Sequence, residues 1–451
     1  MVVVGGGTAG ANAAYQFARR GRRVLVVERR PFDLGGAQWR NGVLDRHFVQ
    51  ADLDPPSGAE RRASHGVVHM RASDPLLGPS FRDPTVAADM ALLGRRLRTL
   101  AAESGAEALD EVTGFQVDTD GATGRVTRLT LRQEGSPRSL SVTARLFVDA
   151  SGRGGAVRRH ARDLTPWCPD VRGNELCSAT DAHYEVADPA GAERFLERHG
   201  ARPGEAVTKV GVNGGFSTRM VNISADLSHV GVLVGCLANG RYGTAPTMIA
   251  ELLRDEPWIG DVVSSGTGVI PLRRPFSRIT AAGVALVGDA ACQVFPAHGS
   301  GIGAGLVAGT MLAAGVAEAD DPGDPHRLWS GYQAPYQRSL GRDLAGFDVL
   351  RRSTTRLGSA GVDGLVRSGL FTEQTARDGL EQRWAAPPPA EAARSGARLA
   401  RHPRLAAVMV PSLVRAQAAH AHAARHPQQL DLDALVAWDR RLTTIVGSLP
   451  S

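Results

Sequence analysis

Residues 2–28 read VVVGGGTAGANAAYQFARRGRRVLVVE, and this stretch decides the fold. Val2-Val3-Val4 is a β-branched run that opens into Gly5, Gly6, Gly7, Thr8, Ala9 and Gly10, the pattern G-x-G-x-x-G set between strand and helix signals. In that pattern the first glycine permits a tight turn, the second lets backbone approach a pyrophosphate, and the third allows close helix–strand packing. Residues 11–20 read as the helix, whose amino end aims free amides at negative charge. Gly21 breaks it, and Val24-Leu25-Val26-Val27 is the apolar run of a buried parallel strand that delivers Glu28 at its carboxyl end. Glu28 stands 18 residues beyond Gly10. That is the reach of a carboxylate accepting hydrogen bonds from a ribose diol, so the spacing points to a dinucleotide with an unphosphorylated adenosine ribose.

At 451 residues the chain exceeds what one core usually holds, and two or three domains are expected. With 43% hydrophobic and 22% charged residues it has ample material for those cores. With a strand starting at Val2, no targeting segment is expected ahead of it. The longest uncharged stretch, 299–317, is mostly glycine and alanine and too weakly apolar to span a bilayer, so a cytoplasmic protein is expected. The net charge of +6 comes from arginines spread along the chain without an aromatic-interleaved block, which excludes a nucleic-acid partner; Lys209 is the only lysine. Cys168, Cys177, Cys236 and Cys292 form no CxxC and no zinc-finger spacing, so neither a disulfide framework nor a metal site is expected. His65 and His69 flank Gly66-Val67-Val68, which suits a strand, and read as solvated or packed rather than metal-binding.

After Glu28 comes a loop, residues 31–42, rich in glycine and carrying Trp39; it reads equally as a strip lying along a cofactor and as a surface excursion with Trp39 packed. Met90, Leu93, Leu97 and Leu100 recur at helical spacing, with Arg95, Arg96 and Arg98 on what reads mostly as a solvated face. Residues 111–117, 126–132 and 140–144 alternate as an antiparallel meander should. Leu146-Phe147-Val148 then enters a second glycine turn, 149–158. Residues 217–222 and 230–237 read as strands of a separate sheet, with a helix over 247–253. Val284-Ala285-Leu286-Val287 ends in Gly288 and Asp289, then Pro296, Gly299, Gly301, Ile302 and a helix of small residues to 316. An aspartate at a strand end can hold a sugar-alcohol hydroxyl, and exposed helix amides can stabilise the negative charge of a reduced flavin. Two such turns in one chain favour a flavin. Beyond Pro387-Pro388-Pro389 the chain is helical and arginine-rich, which suits a capping subdomain or, alternatively, a peripheral membrane contact.

Three motifs in order, GGGTAG with Glu28, DASGRGGAVRR from Asp149 to Arg159, and GDAACQVFPAHGSGIG from Gly288 to Gly303, resemble the FAD-dependent superfamily of aromatic hydroxylases, flavin halogenases and geranylgeranyl reductases. The third motif is most similar to geranylgeranyl reductase-like proteins. The resemblance implies an α/β fold: a Rossmann-like, glutathione-reductase-type FAD-binding domain (residues 1–162 and 271–345), an inserted antiparallel β-sheet substrate domain (163–270) and a helical C-terminal region (346–451). It implies that Gly5, Gly7 and Gly10 hold the FAD pyrophosphate, Glu28 the ribose, and Gly288 and Asp289 the ribityl chain, with Pro296, Gly299, Gly301 and Ile302 bordering the ring. Ser151 and Gly155 depart from the hydroxylase form of the middle motif, so either NAD(P)H or a separate electron-donor protein could reduce the flavin. Halogenase chemistry needs a lysine near the flavin tunnel and a W-x-W-x-I-P stretch, and neither is found before Lys209. The expected activity is reduction of a carbon–carbon double bond in an apolar, isoprenoid-like small molecule. The alternatives are hydroxylation of an aromatic substrate by a flavin monooxygenase, and a flavin-binding protein without turnover. Cys292, His298 and Trp39 are the candidate catalytic residues.

Overall fold

The computed structural model describes residues 1–62 and 66–447; His65 lies outside them. Its centre is a six-stranded sheet in the order Thr280–Ala281, Val284–Leu286, Phe147–Asp149, Val2–Val4, Leu25–Val27 and Glu107–Leu109. All neighbours are parallel except the edge pair 280–281 with 284–286. Val4 is in register with both Val27 and Asp149, and Asp149 with Leu286, so the turns after three separate strands emerge along one edge. The inner strands are short and mostly apolar because both faces are covered, as in other parallel sheets. The helix Thr8–Ala18 lies beside the helix Ile302–Val316, and small residues let the two backbones close up: a Cβ on Gly309 would stand 3.1 Å from the Ala13 nitrogen. Buried Asn12 fastens the pair by donating to the Leu306 carbonyl at 2.7 Å. The expected meander is Val112–Thr119, Val126–Gln133 and Ser139–Thr143.

A second, seven-stranded sheet runs Ile259–Pro271, Leu176–Val186, His229–Leu237, Ser217–Ile223, Ala206–Val210, Val67–Arg71 and Ser80–Arg82. The expectation of an antiparallel sheet needs correcting, because Ala206–Val210 pairs in parallel with Val67–Arg71. A parallel pair needs a long crossover. The chain supplies one, since the last two strands come from within the first 162 residues, the stretch expected to bind the cofactor. One face of this sheet, with Ala182, Tyr184, Val221, Val232 and Val234, is sealed by the helices Pro189–Arg198 and Ala245–Asp255. On the opposite face Ala179, Asp181, His183, Met220 and Leu233 are only half-buried.

C-terminal helices close the structure. Leu340–Arg367 breaks at Gly358, and Pro403–Ala423 packs along it over a core that includes Trp329, Ala345, Ala419 and Trp438. A buried ionic network ties them on. Asp348, fully buried, accepts from Arg351 at 3.0 Å, from Arg352 at 2.9 Å and from the Arg274 amide at 3.1 Å. Glu175 takes Arg352 at 2.7 Å and Arg273 at 3.2 Å, while Arg274 reaches Asp439 at 2.9 Å. The segments flanking the first two strands of the seven-stranded sheet and the helical region therefore share one set of charges.

Candidate flavin site

Gly5 has φ +107°, a backbone state closed to most side chains, and a Cβ there would overlap the Ala150 carbonyl. A Cβ on Gly10 would overlap the Gly5 carbonyl, so the helix starts hard against its own strand. Gly7 differs. A Cβ there meets only Gly36, its Cα at 3.4 Å, leaving its other side clear for a ligand. The helix after it has neither a side-chain cap nor an acid in its first turn, unlike 90–103, where Asp89 accepts from the Leu92 amide. Uncapped amides of this kind are satisfied by an anion.

Glu28 is 5% exposed, its carboxylate accepting from the amides of Gly6 at 2.7 Å, Arg29 at 2.9 Å and Arg30 at 3.1 Å. Those three leave acceptor capacity for a hydroxyl. The loop 31–42 does cross the first turn: a Cβ on Gly35 would stand 3.0 Å from the Gly6 carbonyl. It is anchored by Arg98, whose place on an amphipathic helix had suggested only a solvated face. Arg98 is 3% exposed and donates to the carbonyls of Gly35 at 2.9 Å, Asp33 at 2.8 Å and Gly6 at 3.3 Å, which sets a positive charge beside the glycine turn.

The second turn is built on Asp149, wholly buried, whose carboxylate accepts from Ser151 Oγ at 2.6 Å and from the amides of Val157 at 2.9 Å and Arg158 at 2.7 Å. Ser151, where hydroxylases carry an acid, thus serves the turn itself. Arg158 donates to the Ala290 carbonyl at 2.7 Å, joining this turn to the third. There the Gly288 amide donates to the Gln293 side chain at 2.7 Å, and the helix Ile302–Val316 begins, again without a side-chain cap or an early acid. Asp289 makes no side-chain hydrogen bond among the described residues, and enclosure by protein pushes its pKa up to about 6 against a weaker pull from Arg153. Its Oδ1 stands 3.2 Å from where a Gly301 Cβ would be. A carboxylate left without a partner in such a place calls for a ligand hydroxyl.

The first 160 residues match the family model described as FAD dependent oxidoreductase. The chain is an FAD-dependent oxidoreductase. FAD is its cofactor, and the two uncapped helix starts and the unpaired Asp289 suit its pyrophosphate and sugar-alcohol parts. The flavoenzyme is 23% identical over 394 residues to a digeranylgeranylglycerophospholipid reductase of Sulfolobus acidocaldarius, covering 85% of this chain and 83% of that one. It is 28% identical to a menaquinone reductase of Mycolicibacterium smegmatis over 69% of this chain and 75% of that one. Among solved structures, a geranylgeranyl bacteriochlorophyll reductase-like protein of Thermoplasma acidophilum shares the fold, with TM-score 0.68, 18% identity and 85% and 96% coverage.

The three catalytic candidates fall in different places. Cys292 is 1% exposed within the core of the FAD-binding sheet, and burial pushes its thiol up to about 12 despite Arg273 and Arg158. Its side chain therefore sits in the core, where a neutral thiol packs. His298, in the loop 296–301, packs on Phe295 and keeps part of its surface exposed; enclosing protein lowers its pKa to about 4 against weaker opposing contacts with its own backbone and that of Gly379. Its Nδ1 accepts from the Ser300 amide at 3.3 Å, which puts the ring proton on Nε2. Trp39, half-buried, lies on the second sheet: a Cβ on Gly266 would stand 2.6 Å, and one on Gly268 3.5 Å, from its indole. The two sheets meet at Gly299, whose Cβ position lies 3.7 Å from Leu272 and 3.8 Å from Ile270. Pro296 and Gly299 are buried there, with Gly301 and Ile302 partly exposed at the helix start.

Replacing Asp289 with alanine has two opposite expected effects. The FAD-free protein gains thermal stability, because a stranded carboxylate goes, while FAD binds roughly ten- to a hundredfold more weakly through loss of a charged hydrogen bond. A melting curve with and without FAD and a flavin titration read both; unchanged affinity would remove Asp289 from the site.

Proposed function

We propose that this flavoenzyme reduces a carbon–carbon double bond of an apolar isoprenoid. The carrying observation is the half-buried face of the seven-stranded sheet at Ala179 and Leu233, which continues through Ile270 to Gly299, while Met220 packs with Val68, Phe81 and Ala376 at its far side. Half-buried apolar surface of this kind, next to a cofactor site, suits an apolar chain. The relatives named as reductases of digeranylgeranylglycerophospholipid and of menaquinone support the same reading.

When bound, FAD supplies the hydride. The protein's share is to lay the chain of the substrate on the sheet, keep bulk water from it, and place a proton source. His298 carries its ring proton at Nε2, and its depressed pKa keeps the ring neutral at working pH, so its N–H would hold and orient the water that delivers the proton rather than give up its own. His298→Gln is expected to lower kcat roughly a hundredfold with KM and flavin absorbance retained; an unchanged kcat would take the residue out of the reaction.

The deciding experiment is anaerobic turnover with a geranylgeranyl substrate, driven by NAD(P)H, a separate reductase or dithionite, with the product weighed for the gain of two hydrogens. Stoichiometric oxygen uptake with a hydroxylated aromatic product would replace this reading with the monooxygenase, and flavin that no donor reduces would replace it with a binding protein.

Such a substrate sits in lipid, and no helix among the described residues is long and apolar enough to cross a membrane. On Pro403–Ala423 the side chains of Val410, Leu413 and Val414 are 47%, 50% and 65% exposed on one stripe, and residues 392–430 contain six arginines and no acid. That combination favours peripheral contact with an anionic bilayer. Flotation with phosphatidylglycerol vesicles, reversed by ~0.5 M salt and weakened in Leu413→Asp, is expected; equal binding to phosphatidylcholine alone would refute it.

A further inference from the structure

On the same half-buried face lies a polar group that the reaction does not use. Asp181 and His183 alternate with Ala179 on the strand Leu176–Val186, so all three point to the side on which Trp39 packs. The side chains of Asp181 and His183 are 11% and 16% exposed, and His183 Nε2 stands 3.2 Å from Asp181 Oδ2. Arg40, next to Trp39, closes the set: its amide donates to Asp181 Oδ2 at 3.2 Å and its Nη1 to His183 Nδ1 at 3.3 Å. Because Nδ1 accepts, the ring proton sits on Nε2, which is near Asp181 Oδ2 but makes no hydrogen bond to it and is buried without a partner among the described residues, so the cluster holds an unused donor beside a guanidinium and a carboxylate. The guanidinium makes no other hydrogen bond among the described residues and is exposed, so its remaining donors are available at the rim.

The place is as informative as the chemistry. Asp181 is in register with Gly266, and four residues along that strand Ile270 reaches Gly299, so the cluster lies about 13 Å from the loop beside the flavin site. Between them Trp39 lies directly on Gly266 and Gly268, so a tail running from the cluster to that loop would follow the indole rather than the bare strand, along a path without charge. An apolar track with a polar stop at its outer end fits an amphiphile with its head at the rim.

We propose that Arg40, His183 and Asp181 form a head-group subsite for an uncharged oxygen-bearing head, a hydroxyl or a conjugated carbonyl, joined to the isoprenoid tail. The charge balance selects that class. Asp181 offsets Arg40, and a phosphate brought to the rim would meet a carboxylate as well as a guanidinium, whereas a carbonyl or hydroxyl accepts from Arg40 without that penalty. This rests on the reductase reading and names the substrate within it.

The test uses the FAD-loaded enzyme and three probes with the same tail: geranylgeraniol, a geranylgeranyl naphthoquinone and geranylgeranyl diphosphate. Calorimetric binding is expected to favour the first two over the diphosphate by roughly tenfold, and Arg40→Ala to raise their Kd and KM by about as much with kcat retained. Asp181→Asn removes the offsetting charge at constant shape and is expected to turn the preference towards the diphosphate, which a merely structural carboxylate would not do. A wild-type preference for the diphosphate, or an Asp181→Asn variant with unaltered ranking, overturns the subsite. If instead none of the three is reduced while the binding preference holds, the reductase reading fails and the subsite stands.

Discussion

Gly10→Ala is expected to yield a flavin-free protein that melts far below the wild type. The added methyl would overlap the carbonyl oxygen of Gly5 and stand 2.9 Å from the Ala150 Cβ, and both neighbours are fixed, one by the turn and the other by the strand edge. Backbone cannot rotate away as a long side chain can, so the helix Thr8–Ala18 has to lift from the sheet. Overpacking in a core usually costs about 1–3 kcal/mol; here the strain falls on an element that touches the helix Ile302–Val316 too, and the upper end or beyond is expected. Gly7→Ala is the informative companion. Its methyl meets only Gly36, the Cα at 3.4 Å in an ordinary contact, so this variant should melt like the wild type and still bind FAD roughly tenfold more weakly. Thermal melts and flavin titrations of the two separate a packing role from a ligand-facing one. A Gly10→Ala protein that stays yellow with an unchanged Tm would show that the turn is not as tight as described.

Asp348→Ala should be the most damaging single change in the C-terminal region. It strands Arg351 and Arg352 without their shared carboxylate, and Glu175 can reach only the second. Breaking a buried ion pair from one side costs about 3–5 kcal/mol. The pH dependence follows from the same geometry. Burial alone would raise this carboxyl, yet the two guanidiniums and the Arg274 amide hold it below the usual 3.8. A lowered folded-state pKa contributes stability that is complete above the unfolded value and is lost as pH falls through the folded one. The gap between wild type and variant in urea unfolding should therefore be widest at neutral pH and narrow below about pH 4. A loss under ~1 kcal/mol at neutral pH would mean that the network is ornamental.

What could be read from the sequence was whatever repeats a local grammar. Strand, glycine turn and helix follow one another within thirty residues at the start, and again at Val284, so those elements were legible with the turns they carry. Glu28 and Asp289 stood out because a strand end announces them. Arg98 was not, since a single arginine on an amphipathic helix looks solvated; the signal was Gly94 one turn earlier, over which the guanidinium folds, 3.0 Å from where a Cβ on that glycine would stand. The strand Ile259–Pro271 escaped notice because IGDVVSSGTGVIP does not alternate: as an edge strand it is exposed along most of its length, and its glycines are there to seat Trp39. Cys292 stood out because it is near the third turn in sequence, and sequence alone could not show that the turn, with φ +56° at that residue, carries its side chain into the core. The polar trio of Arg40, Asp181 and His183 spans 143 positions, and no local pattern can join residues so far apart.

The seven-stranded sheet borrows Val67–Arg71 and Ser80–Arg82 from upstream, while the six-stranded sheet waits for Val284–Leu286 from downstream. Each layer is thus threaded through the other. During synthesis the central sheet lacks its last parallel strand until the whole substrate layer has left the ribosome, and such distant pairings form slowly. A nascent chain stopped short of that strand would have a grip for one half of its prosthetic group and none for the other, so the yellow colour should mark completed molecules only.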